Sequence, residues 1–152
     1  MDFDLPAWND LNDIDSLLAE LVKAAEQSPD DRFRVSVTLN TTGGIVTGML
    51  VSAREWGKAI VEAIPEDWKP DEEPARTTVE RIGTDPYADD EFDETAVDRI
   101  HLVEAHLISG SRVIPTGGQG FPWRGRMKDV SGWFIGLIFD ADDKDDSDPG
   151  SE

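Results

Sequence analysis

The chain has no cysteine. That excludes disulfides, thiolate metal centres and cysteine nucleophiles. It has no apolar stretch near the ~20 residues a membrane helix needs. Its first fifteen residues, MDFDLPAWNDLNDID, are acidic and carry no apolar core of the signal-peptide kind. A cytoplasmic protein is therefore expected. Positive charge is scarce: 14 Lys and Arg face 33 Asp and Glu, for a net charge of −19. Such a balance works against nucleic-acid phosphates and anionic membranes. No Ser-His-Asp order and no nucleophile elbow is present, so no residue is nominated as catalytic.

What is there is mostly acid, unevenly placed. Residues 140–152 hold seven acids and Lys144, a net of −6, which leaves −13 for residues 1–139. Residues 85–94 hold six acids in ten. Asp exceeds Glu and Arg exceeds Lys, a composition that suits a salt-rich cytoplasm and suits solvated, solubilising segments equally.

Periodicity supplies the elements. Ile14, Leu17, Leu18, Leu21, Val22 and Ala25 fall at helical spacing and predict a helix over 13–27, with Asn12 as its N-cap. Phe33, Val35, Val37 and Leu39 alternate with polar residues, as in a half-buried strand. The turn TTGG (41–44) leads into a return strand over 45–51, where Gly48 marks a bend or bulge. Ser52 to Glu55 has the form of a capping box and predicts a short helix to Ile64 that buries Trp56, Ile60 and Ile64. Residues 65–98 read as a mobile acidic insertion, with a strand or turn near 77–82. Three more strands are expected at 100–108, 121–128 and 130–139, the last apolar on both faces and so central or barrel-closing. The expected fold is mainly β (α+β). It is a small five-stranded antiparallel open barrel with an N-terminal helix and a short helix after the second strand. Residues 1–11 form a flexible lead-in, 12–139 a single domain, and 140–152 a disordered acidic tail.

Several constellations invite chemistry and fail on spacing. His101 and His106 flank Glu104, but at odd separation they point to opposite faces of a strand, and neither HExxH nor HxxEH fits. The acidic pairs lack the central Gly and closing Glu of an EF-hand loop. TGGQG (116–120) is followed by extended Phe-Pro-Trp, not by the helix of a phosphate loop, and reads as a flexible connection. No metal or cofactor is expected. The remaining signal is a basic, aromatic island in an acidic chain. On a strand, Arg124, Arg126 and Lys128 share one face, with Trp123, Gly125 and Met127 on the other. Trp123, Arg124, Arg126 and Lys128 are the candidate partner-binding residues, suited to an acidic partner or to the chain's own acidic tail.

Three blocks carry a family resemblance. VSVTLNTTGGIVTGMLVSAREWGKAI (35–60), IHLVEAHLISG (100–110) and FPWRGRMKDVSGWFIGLI (121–138) resemble, in this order and spacing, the gas vesicle accessory protein GvpU family. The resemblance covers about half the chain. The same blocks are similar to Sm-like barrels, with Arg124-Gly125 at a late Arg-Gly motif. The Asp and Asn that Sm-like proteins use on RNA are replaced here by Ala53-Arg54-Glu55-Trp56. The resemblance implies a non-enzymatic, cytoplasmic accessory protein associated with gas vesicles, acting in their assembly or clustering. It implies contacts with shell proteins, other accessory proteins or further copies of itself. The alternative it implies is an Sm-like RNA-binding ring.

Overall fold

A computed structural model describes residues 14–28, 32–68, 72–84 and 98–138. The lead-in (1–11), the acidic run (85–94), the tail (140–152) and the predicted cap Asn12 lie outside the described residues.

The first helix, α1 (Ser16–Glu26), starts where Asp15 accepts hydrogen bonds from the backbone N–H groups of Leu17 and Leu18 at 3.0 and 2.9 Å. Asp15, not Asn12, is therefore the cap, because its carboxylate reaches the first free amides. An Asp15→Ala substitution is expected to cost about 1 kcal/mol, read from the urea midpoint at unchanged slope. Leu18, Val22 and Ala25 are buried, whereas Leu17 is 68% exposed and lies off the stripe the periodicity assigned it to.

Strands β1 (Val35–Thr41) and β2 (Gly44–Val51) form the expected hairpin, closed by Thr41 Oγ1 donating to Gly44 O at 2.7 Å. Helix α2 (Ala53–Ala63) follows, with Ser52 Oγ accepting from Glu55 N at 3.1 Å. Its amino end also receives Glu26 from α1, whose carboxylate accepts from Ala53 N at 2.8 Å. That places a negative charge on the positive end of the helix dipole. Trp56, Ile60 and Ile64 are half-buried, and the fully buried positions of α2 are Ala53 and Gly57.

Helix α3 (Glu73–Thr84) occupies the stretch where a strand or turn was expected. Thr77, Thr78 and Gly83 weaken its intrinsic preference. Packing on α2 overrides that: Gly83 lies so close to Val61 that a Cβ would fall 2.8 Å from a Val61 methyl. Strand β3 (Arg99–Ser109) follows, then the short β4 (Arg112–Ile114), which falls between the strands expected at 100–108 and 121–128. The chain continues as β5 (Phe121–Arg126), a 3-10 turn (Met127–Asp129) and β6 (Val130–Ile135).

The sheet runs β4-β3-β2-β1-β6, all pairs antiparallel, with β5 also pairing β3. This six-stranded open sheet is consistent with the expected small open barrel, with one strand more than expected. The inner face is the core: Leu18 and Val22 of α1, Val37 and Leu39 of β1, Val46 and Leu50 of β2, Ile100 and Leu102 of β3, and Met127 pack together. Burying each large aliphatic side chain contributes about 1.5–3 kcal/mol. Strand β6 is neither central nor barrel-closing. Among the described residues it pairs only with β1, and Phe134, Ile135, Leu137 and Ile138 stay 45–61% exposed. Its apolar sequence marks an exposed edge, with Trp133 and Val130 half-buried against the core.

Candidate interaction site at the β3–β5 edge

A β-bulge in β3 sets the geometry of the site. Its pairing slips against both neighbours: between Thr47 and Met49 of β2, and between Leu102 and Ala105 within β3 against β5. The extra residue is Glu104, at φ 55. A bulge shifts the two-residue alternation by one. Ile100, Leu102 and Ala105 consequently face the core, and His101, Val103 and His106 share the outer face. The expected opposite facing of the two histidines is thus corrected. Their separation is odd, but the bulge adds the missing step.

Both histidines are buried, His101 to 1% exposure and His106 to 8%. His106 stands opposite Thr47, whose hydroxyl is 2.9 Å from that of Thr38. Thr38 donates to Gly136 O at 2.8 Å, and Thr47 accepts from Ile138 N at 3.3 Å. This polar row ties the segment after β6 to the outer face. Among the described residues no group of three or more His, Asp or Glu side chains is arranged to hold a metal ion.

At the other end of β3, His101 lies directly across from Arg124 of β5, and Arg99 directly across from Arg126. Arg124 Nε donates to His101 Nε2 at 3.0 Å. The acceptor nitrogen must be unprotonated, so His101 is neutral, with its proton on Nδ1. Burial, and then the charges of Arg124 and Arg99, pull its pKa down from 6.5 to about 3. Trp56 of α2 covers the pair. Its ring centroid is 5.1 Å from that of His101, and the Arg124 guanidinium carbon is 5.6 Å from the centroid of the Trp56 ring. Arg124 is thereby held at its Nε and on one face, while its residue remains exposed. Arg126 is bound bidentately by Asp129, at 3.1 Å for both contacts, which raises its pKa further. Arg99 lies 3.5 Å from Asp98.

The predicted partner residues divide. Arg124 and Arg126 do share the outer face. Lys128 leaves it, because β5 ends at Arg126 and Lys128 sits in the 3-10 turn. Trp123 faces inward beside the core, with its ring over Gly125 so closely that a Cβ there would fall 2.3 Å from a ring carbon. Met127 is buried in the core, as alternation implies. Trp123 also lines an open groove of about 830 Å³, with Leu107, Ile114, Arg126 and Asp129. The sequence did not nominate Trp56, His101 or Arg99 for this site. Their signal is the β3–β5 register, which places His101 against Arg124 only once the bulge is known.

The arrangement gathers polar and cationic groups at one edge of the sheet. A family model described as Gas vesicle protein GvpU-like matches residues 15–138. The chain belongs to that gas vesicle protein family, and the match takes in every described strand and helix. Comparison with curated proteins and with solved structures gives no match. No helix among the described residues is long and apolar enough to cross a membrane.

Proposed function

We propose that this protein is a non-enzymatic, cytoplasmic gas vesicle accessory that acts in vesicle assembly or clustering through protein–protein contacts. The family match over residues 15–138 carries the reading. The contact surface is the β3–β5 edge, with Arg124 and Arg126 at its centre and Trp123 and Lys128 flanking. Partners are shell proteins, other accessory proteins or further copies of the chain. The exposed β6 edge, with Phe134 and Ile135, offers a second place where copies pair. The net charge of −19 argues against an RNA partner.

Co-flotation with buoyant vesicles tests the reading. The wild-type chain is expected to float with vesicles at low salt. Reversing two rim charges in an Arg124→Glu, Arg126→Glu variant should weaken association roughly five- to thirtyfold, at ~0.5–1 kcal/mol per charge. If the wild-type chain stays in the subnatant with vesicles and with isolated shell proteins, the reading fails.

A further inference from the structure

The arginine block is an unusual object in so acidic a protein. Arg99, Arg124 and Arg126 occupy one two-by-two patch of the outer face with neutral His101. Like charges directly across a sheet repel. Asp98 offsets Arg99 and Asp129 offsets Arg126. Arg124 has no carboxylate partner among the described residues: it donates to a neutral imidazole and lies over an indole. Its position is fixed by groups that, among the described residues, leave its positive charge uncompensated. A guanidinium held in this way has little freedom left to lose on binding an anion.

The chain carries a complementary segment within reach. The described structure ends at Ile138, whose N–H is bonded to Thr47 on the same outer face. From His106, beside Thr47, to His101, beside Arg124, is five residues along β3, or about 17 Å. Residues 139–152 can span up to ~46–50 Å. Residues 140–152 carry a net charge of −6. Tethering holds such a segment at an effective concentration of order millimolar, so contacts too weak to bind a separate peptide still populate the docked state.

We propose that residues 140–152 dock on the Arg99–Arg124–Arg126 block as an intramolecular, salt-sensitive cover of the β3–β5 edge. The docking stands on charge and placement alone. Its role as a cover, competing with an external partner, rests on the reading of that edge given above.

The absence of cysteine makes the test direct. Ser147→Cys introduces the chain's one thiol, which takes a nitroxide label in the full-length protein. Amide signals of residues 99–101 and 124–126, and the Trp56 indole N–H signal, should lose most of their intensity to the label at low salt. They should recover in 1 M NaCl, where the screening length falls to about 3 Å. They should also recover with Arg126→Glu, a substitution at a side chain 63% exposed, and with the six aspartates of the tail changed to Asn. Broadening spread evenly over the surface, or indifferent to Arg126→Glu, overturns the proposal. So does broadening that appears only between separately labelled molecules, which makes the occupant a second copy. In flotation, the tail-neutralised chain should bind vesicles several-fold more than wild type. Specific broadening with no increase in flotation removes the cover and leaves the docking. No flotation by any variant sinks the partner reading instead.

Discussion

Lowering the pH from 7 to 4.5 is expected to remove about 2–3 kcal/mol of folding stability through His101 alone. The sign follows from proton counts. In the unfolded chain His101 titrates near 6.5, and in the fold near 3. Between those values the unfolded state binds the extra proton, so stability falls as pH falls through that window and is fully present above it. Protonation would put a cation against Arg124 and Arg99 in a site 1% exposed, and would abolish the acceptor for Arg124 Nε. A second effect runs the other way, because protonating carboxylates relieves the self-repulsion of a chain at −19. A His101→Phe variant separates the two. It keeps an aromatic ring against Trp56 and carries no titratable group. Urea unfolding from pH 7.5 to 4.5 should show wild type losing stability relative to the variant, with the difference growing below pH 6.5. Parallel pH profiles would show that His101 is not held neutral.

Three substitutions in one loop should separate by their geometry, with Gly120→Ala costing roughly 3 kcal/mol or more. Gly120 has φ 83, and a Cβ there would lie 2.6 Å from both Ala105 O and the carbonyl carbon of Glu104. Those are backbone atoms of the bulge and cannot turn aside as a side chain would. Gly118 shares φ 83 but has nothing within 4 Å, so Gly118→Ala carries only the left-handed penalty of about 1 kcal/mol. Gly117 has open space and no such φ, so Gly117→Ala should stay within about 0.5 kcal/mol of wild type. Thermal and urea unfolding of the three variants measure the series. Equal effects at Gly117 and Gly120 would show that the loop does not pack on β3.

That series bears on how much of the molecule could be read from residues alone. TGGQG reads as a flexible connection because a sequence shows its glycines and not their neighbour; one of them is wedged against β3. The first hairpin was legible because alternation and turn chemistry agree across Val35, Val37, Leu39 and the TTGG turn. Gly48 was legible as a site of bending for the same reason. A Cβ on it would fall 2.9 Å from Ala105 Cα, so the neighbouring strand also demands glycine there. Helix α3 was not legible, since only Ala75, Val79 and Ile82 offer it an apolar face and its packing partner is α2. Strand β6 misled through its composition, where apolar residues on both faces suggest burial and two of them lie open at an edge. At the site, Arg124 and Arg126 were found by charge contrast. His101 was set aside by a parity argument that holds for a regular strand and fails across Glu104.

Glu104 therefore carries information by being counted rather than by what its side chain is. It sits between two halves of β3 that are each in phase with the barrel and out of phase with one another. Many side chains serve at this position if they tolerate φ 55. Removing the position altogether is another matter. A single-codon deletion would restore plain alternation, leaving Ile100 and Leu102 inward and His101 opposite Arg124, and would take away the bend and added twist that the bulge gives β3. For this stretch of chain, the inserted residue specifies the shape of the strand rather than the identity of what faces the core.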